Sequence, residues 1–455
     1  LFLEEVSKIS SSIKNVIRKK IVKIIAQFDA DGLASAAIFS KMLLREGLNF
    51  ELRIVKQLTP EEIDRLSVDK EKFLVFLDCG SGQLDKIKEL LETTNVLVID
   101  HHLPIDYKHK NLFHINPLLF GENELSTSLI TYIFAKFFDQ KNTDLVDLAI
   151  IGAIGDAQDE DPNFLENLKR FIPEEELSAK VSITKGIKIY GRNTRPIFRS
   201  LAYTFDPFIP GISGSESNAI QFLADIGIPL KEGDEWRTLN DLSIEEQRKL
   251  ASAIVLERLN LSSSVEEIFG NVYTLLGYPS EFQDVQELST VINACSRLGS
   301  PETGFRICLG DFSIMEKTKE FLEEYRKIIS DAISFIKGTQ LSKENANFFV
   351  AGNNISDTLI GVVVSVALRS NLIDREKPVF GLADFDEKTV KVSGRVFRDL
   401  NVDLAQVLAK AAAMVGGWGG GHKYAAGAFI PKGKEKEFIE VVNNLLSEIN
   451  ASKES

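Results

Sequence analysis

Val22-Lys23-Ile24-Ile25-Ala26-Gln27-Phe28-Asp29-Ala30-Asp31-Gly32 is the stretch on which the fold turns. Residues 22–28 are rich in β-branched side chains, which suit a buried strand. A tight Asp-Gly turn follows, and residues 33–46 then carry the apolar spacing of a helix. The same alternation continues outward. Residues 50–55 and 73–77 read as strands, 84–91 as a helix and 96–99 as another strand. Continuous apolar strands separated by helices predict a parallel sheet buried on both faces. The expected class is therefore α/β, with a parallel-sheet domain at the N-terminal end.

The chain has 455 residues, and about 150 residues per domain predicts two or three domains. After about residue 230 it becomes helical and charged, through 244–258 and 316–336. From Asn347 a second alternating unit begins, with strands at 348–351, 379–382, 390–396 and 426–430 and helices at 358–368 and 404–415. A glycine-rich loop lies before the last strand, and an amphipathic helix closes the unit. The expected division is a domain at 1–225, a helical connection at 226–345 and a smaller α/β domain at 346–450. Residues 451–455 read as a frayed tail.

Lys and Arg number 53 against 66 Asp and Glu, a net charge of −13, which argues against a protein that merely coats nucleic acid. A local basic groove beside an acidic centre is compatible with that balance. Lys185, Lys188, Arg192, Arg195 and Arg199 cluster with Tyr190 and Phe198, a pattern that also fits an ordinary solvated face. No apolar run reaches the roughly 18 residues a membrane span needs, and no secretory signal pattern opens the sequence, so a cytoplasmic protein without membrane contact is expected. Cys79, Cys295 and Cys308 have neither zinc spacing nor a disulfide framework. They read as small buried apolar groups.

The acids share a position. Asp29 and Asp31 follow one predicted strand, Asp78 another and Asp100-His101-His102 a third, while Asp156 closes the apolar run 150–155. Ligands of open parallel sheets bind at the carboxyl ends of strands, where clustered carboxylates repel one another unless a cation neutralises them. Carboxylates with one imidazole suit Mn²⁺ or Mg²⁺ better than zinc. Two such ions about 4 Å apart, bridged by one Asp, would activate water and stabilise the leaving oxygen of a phosphoester. Farther on, Gly416-Gly417-Trp418-Gly419-Gly420-Gly421-His422 would let backbone N–H groups approach an anion. Trp418 suits base stacking and core packing equally. In Ser393-Gly394-Arg395, the arginine fork suits phosphate.

Taken in order, Gln27-Phe28-Asp29-Ala30-Asp31-Gly32, Leu77-Asp78-Cys79-Gly80-Ser81, Asp100-His101-His102 and Gly155-Asp156 resemble the four motifs of the DHH phosphoesterases. Gly419-Gly420-Gly421-His422, with Ala425-Ala426-Gly427-Ala428, resembles the signature of the domain that accompanies them. Residues 201–223, including Phe205-Asp206-Pro207-Phe208-Ile209-Pro210-Gly211, and residues 290–297, including Asn293 and Arg297, resemble the archaeal RecJ-like nucleases in particular. The resemblance implies one metal on Asp31, Asp78, His101 and Asp156, and a second on Asp29 and the shared Asp78. It implies His102 at the substrate phosphate, Asp100 orienting a neighbouring imidazole, and His422 with the glycines at the scissile or adjacent phosphate. Ser393 and Arg395 would hold the strand backbone; Asn293 and Arg297 match without an assigned role. One position departs from the pattern. Where the RecJ-like motif has His or Asp two residues before its first Asp, this chain has Gln27, a weak Mn²⁺ ligand that loosens the second site.

The function so implied is a Mn²⁺-dependent exonuclease, with one or two ions and Mg²⁺ as the substitute. It would act on single-stranded DNA, or also RNA, from 5′ to 3′ in repair or replication. A repair helicase or replisome component is the protein partner that family analogy suggests. Two other readings stay open. Gln27 favours a catalytically weak replisome or repair scaffold. A phosphodiesterase of short oligonucleotides or cyclic dinucleotides fits the motifs, but the long helical insertion and residues 201–223 weigh against it.

Overall fold

The structure, a computed structural model, describes residues 1–455 except 67–71, 124, 205–206, 260–267, 339–341, 344, 370–372, 375, 398–399, 401 and 455. The chain divides into two compact units, Leu1–Lys185 with Asn271–Leu322, and Gly186–Gly270 with Glu323–Ser455.

In the first unit, helix α1 (Phe2–Ile17) leads into strand β1 (Ile21–Gln27), helix α2 (Ala30–Arg45) and strands β2 (Phe50–Val55), β3 (Lys72–Leu77), β4 (Asn95–Ile99) and β5 (Leu112–Ile115). The sheet order is β2-β1-β3-β4-β5 and every pairing is parallel. The chain steps outward from β1 to β2, then returns to pair β3 on the other side of β1. That reversal puts a topological switch point between the carboxyl ends of β1 and β3.

Both faces of the central strands are covered, which is why β3 and β4 are almost continuously apolar, whereas edge strand β2 carries Glu51 and Arg53 and is only partly buried. Ile24, Val75 and Leu97 meet α2, α3 (Thr127–Phe138) and α4 (Val146–Gly155) in one core, where Phe39 and Phe134 stack at 5.8 Å. Ile25, Phe76 and Val98 face a second core with Leu84, Ile87 and Leu91. The helix expected at 84–91 is broken there, into Leu84–Ile87 and a 3-10 turn at Leu90–Glu92. Both pieces bury their leucines, so the apolar spacing satisfies the core without one continuous helix.

Beyond α4 the chain forms strand β6 (Val181–Ile187), helices α5 (Ile197–Tyr203), α6 (Glu216–Asp225) and α7 (Ile244–Arg258), and strand β7 (Phe269–Leu275), which pairs with β6. Helices α8 (Val285–Arg297), α9 (Pro301–Leu309) and α10 (Met315–Lys337) follow. The helical stretch expected from sequence therefore also contains strand structure. Residues Phe205 and Asp206 lie outside the described residues. Leu201, Ile209, Phe222, Leu250 and Ile254 form a separate small core in this region. All three cysteines are buried free thiols.

The second unit carries a six-stranded mixed sheet. Its elements are β8 (Asn347–Gly352), α11 (Ile360–Arg369), β9 (Val379–Asp384), β10 (Thr389–Arg395), α12 (Leu404–Met414), β11 (Trp418–Gly421), β12 (Ala425–Pro431) and α13 (Glu435–Glu454). After the short strand Ser342–Lys343 the order is β8-β9-β10-β12-β11, parallel only between β8 and β9. The expected glycine-rich loop is thus largely an edge strand. Glycine disfavours strands on its own, and here pairing with β12 decides the conformation. Helix α13 runs on to Glu454, through the stretch expected to fray; Ser455 is outside the described residues. Among the described residues, no helix is long and apolar enough to cross a membrane.

Candidate metal centre

Asp29 caps α2, its Oδ1 accepting the Gly32 N–H at 3.0 Å. Gly32 is obligatory, because a Cβ there would lie 2.4 Å from the Gln27 carbonyl oxygen. Asp31, in the first turn of the same helix, is 2% exposed. Its two carboxylate oxygens accept the backbone N–H groups of Thr127 at 2.7 Å and Ser128 at 2.9 Å. Those are the first residues of α3, so the acid sits at the positive end of a helix. A Cβ at Gly152 of α4 would lie 2.7 Å from Asp31 Oδ1 and 2.3 Å from Ser128 Oγ. Only glycine there leaves the carboxylate room. Burial still pushes the Asp31 carboxyl above its usual range, against the His101 charge and the Ser128 bonds.

Asp78 leaves β3 in the left-handed region, with φ 61°, a conformation Asp tolerates better than most residues but still at a cost. Its N–H donates to the Ile99 carbonyl at 3.0 Å, which holds the turn against β4. The side chain, itself buried, accepts the Thr127 hydroxyl at 3.0 Å and lies 3.3 Å from His101 Nε2. Burial first, and then the charges of Asp29 and Asp31, push its carboxyl well up. A low-dielectric site where acids repel is one that a cation would stabilise.

The residues after β4 divide their work. Asp100 is fully buried and accepts from the backbone N–H of Ser81 at 2.9 Å, of His101 at 2.8 Å and of His102 at 3.2 Å. It also binds His102 Nδ1 at 2.7 Å. Against burial, the charge and hydrogen bond of His102 hold Asp100 far below the usual carboxylate range. Reciprocally, and again against burial, Asp100 raises His102 to about 9, which makes it a cation at neutral pH. His101 instead faces Asp78, and its Nδ1 is 3.8 Å from Asp156 Oδ2.

Asp156 does not follow a strand, as its apolar approach suggested; it caps the C-terminal end of α4. Gln158 Nε2 donates to its Oδ2 at 3.3 Å. Asp31, Asp78 and His101 offer ligand atoms within 4.8 Å of one another, and Asp78, Asp100 and His102 form a second such triple. Asp29 enters neither triple; its carboxylate is turned to Gly32. The three-residue set fits a hard divalent cation in donor type and in its buried mutual repulsion.

Sequence reading left some supports out. Thr127 and Ser128 look like an ordinary helix start, and nothing local ties them to Asp31. Asn293, matched only as a motif residue, accepts the Ala30 N–H at 2.9 Å and donates to the Gly155 carbonyl at 3.4 Å. One amide on α8 thereby ties the turn carrying Asp29 and Asp31 to the turn carrying Asp156. Arg297 ends that helix, half-buried.

The remaining expected residues lie in the second unit. Arg395 Nε donates to Ser365 Oγ at 3.0 Å, and its Nη1 to the Gly394 carbonyl at 2.8 Å. Gly361 of α11 would place a Cβ 3.2 Å from Arg395 Nη2 and 3.3 Å from Ser393 Oγ, so its bareness admits both side chains. Gly419 is packed on Leu408 and β12, and Gly421 has φ 133° at the turn, whereas Gly420 meets nothing within 4 Å. His422 starts the hairpin turn, its N–H donating to the Ala425 carbonyl at 2.9 Å.

Three family profiles match in the order the motifs run: the DHH family N-terminal domain over residues 21–154, a DHH-CID domain over 189–270 and a DHHA1 domain over 345–448. The chain belongs to the DHH family, and its fold is similar to that of RecJ exonucleases. An uncharacterized protein of Methanocaldococcus jannaschii is 32% identical over 463 residues, covering 98% of each chain. Among solved structures, the chain is similar to RecJ of Thermus thermophilus in complex with Mn²⁺, at TM-score 0.61 and 18% identity. That match covers 98% of this chain and 55% of that one, so this chain spans about half the length of the Thermus protein. It is similar also to CDC45 of Entamoeba histolytica, at TM-score 0.67 and 13% identity over 98% and 99% of the two chains.

Proposed function

We propose that the chain is a Mn²⁺-dependent exonuclease that shortens single-stranded DNA, or RNA, from the 5′ end in repair or replication. The observation that carries this reading is the buried Asp31–Asp78–His101 triple beside a cationic His102. Asp31, Asp78, His101 and Asp156 would hold one ion, and Asp29 with Asp78 a weaker second. When bound, the metal supplies Lewis-acid charge for attack of water on the phosphodiester. The chain itself fixes the geometry. The N-terminal end of α3 orients Asp31, the Thr127 hydroxyl orients Asp78, and Asp100 holds His102 protonated to donate to a phosphate oxygen. Ser393, Arg395, Gly419, Gly420, Gly421 and His422 grip the backbone of the strand. A repair helicase or replisome component is the proposed protein partner.

Gln27 supports a second reading, in which the protein is a scaffold of weak activity: the second ion loses a ligand there, and Asp29 stands outside both triples. Degradation of strands labelled at either end, with Mn²⁺, with Mg²⁺ and with EDTA, tests the first reading. Early loss of the 5′ label with Mn²⁺ and none with EDTA is expected. Intact strands under all three conditions would leave the scaffold.

A further inference from the structure

Helix α11 packs on one end of one face of the second unit's sheet, and at the other end of that face Trp418 and Gly420 are exposed among the described residues. Side chains alternate along a strand, and the register aligns two rows across β11, β12 and β10 and a third across β12 and β10. Trp418, Phe429 and Lys391 form the first row, Gly420, Gly427 and Ser393 the second. Ala425 and Arg395 form the third, at the end of the strand pair where the His422 turn begins.

The middle row has almost no side chains. A Cβ at Gly420 would meet open space, and one at Gly427 would touch only the Val392 carbonyl oxygen, at 3.3 Å. Gly419, on the opposite face, is packed against Leu408 of α12. The glycines at 420 and 427 therefore leave a shallow floor on the α11 side that no neighbouring side chain demands.

An aromatic stack stands at one end of this floor. Trp418 lies on Phe429 with ring centres 4.5 Å apart and planes at 18°, and Phe385 meets Phe429 edge-on at 5.0 Å. Lys391 Nζ is 5.9 Å from the Phe429 ring. Phe429 is buried, but Trp418 remains 47% exposed. One face of the indole is thus fixed by packing, and much of its surface is left to solvent. Four residues farther along β10 from Lys391, about 13 Å of strand backbone, stands Arg395, whose guanidinium bonds Ser365 of α11.

We infer that Trp418 is a base-stacking platform, and that a single strand runs over the Gly420–Gly427 floor with a phosphate at the Ser393–Arg395 end and an unpaired base on the indole. This rests on the nucleic-acid reading above and adds the base contact to it. Cation at one end and π-surface at the other match the alternation of phosphate and base along a strand. A preformed stack on Phe429 spares the indole the ordering cost of binding. Duplex DNA keeps its bases stacked inside, so the platform selects single strands.

Binding of a short fluorescent oligothymidylate to the full chain, measured in EDTA so that no strand is cut, tests this. Trp418→Ala is expected to weaken binding about tenfold, and Trp418→Phe much less. Moving a single abasic site along the oligonucleotide should weaken wild-type binding at one position, and Trp418→Ala should erase that dependence. Tryptophan emission in a Trp236→Phe background, where Trp418 is the sole tryptophan, should be quenched as the oligonucleotide binds. Equal affinity of wild type and Trp418→Ala, with the same abasic profile in both, would overturn the platform. Wild-type binding that shows the abasic position, without hydrolysis in Mn²⁺, would leave the platform standing and remove the nuclease.

Discussion

The two units build their sites by opposite means. In the first, charge is buried and each acid is given a designated partner: Asp31 the end of α3, Asp78 the Thr127 hydroxyl, Asp100 the His102 ring. In the second, side chains are removed, and a glycine floor lies between an exposed indole and an arginine. The first arrangement stores unfavourable electrostatics that a cation relieves. The second stores nothing and offers only shape and a few contacts. Substitutions in the first unit should therefore act steeply on turnover, and those in the second mildly on affinity.

The steepest effect short of removing a ligand is expected at Asn293. Asn293→Ala leaves the Ala30 N–H without its acceptor, a cost of about 1–3 kcal/mol in unfolding free energy. It also frees the turn of Asp29 and Asp31 from that of Asp156, so Mn²⁺ affinity should fall roughly 10–100-fold. Calorimetric titration with Mn²⁺ reads the second effect without needing activity. Unchanged affinity would make Asn293 a packing residue only.

A pH dependence follows from His102. Its value of about 9 lies above the ordinary 6.5, so the folded state binds this proton more tightly than the unfolded state. The stability given by the Asp100–His102 pair is therefore complete below about pH 6.5 and lost as pH rises through about 9. Melting curves of the metal-free protein should show that decline, and His102→Gln should flatten it. A His102 ring titrating near 6.5 by NMR would contradict the pairing.

Gln27→His should act less strongly, lowering the Mn²⁺ concentration for half-maximal activity several-fold while leaving substrate choice alone, since it adds an imidazole ligand beside Asp29. A half-maximal concentration that does not move would sever Gln27 from the second site. In the second unit Arg395→Ala should be mildest, reducing the salt slope of single-strand binding by about 0.7 for one lost phosphate contact. An unchanged slope would confine Arg395 to its Ser365 contact.

The sheet and its carboxyl-end acids were legible because strand runs and the Asp-Gly turn are local signals. The supports were not. Thr127 and Ser128 lie 96 and 97 residues from Asp31, and a Ser/Thr pair at a helix start signals only capping. Asn293 is 263 residues from Ala30. The run before Asp156 is apolar on all sides, so periodicity could not separate buried helix from buried strand. Gly419–Gly421 carry no strand propensity, and the stretch is a strand because β12 lies beside it.

The central claim is that the buried acids of the first unit work as a metal-dependent hydrolytic centre, and Asp78 belongs to both triples. The most direct measurement is turnover of a 5′-labelled single strand against Mn²⁺ concentration, run in parallel for wild type and Asp78→Ala, each with its unfolding curve. The account predicts saturable Mn²⁺-dependent shortening by the wild type and at least a thousandfold loss, on the order of 4 kcal/mol in barrier, in a variant that still unfolds cooperatively. Near wild-type turnover by a folded Asp78→Ala would contradict it.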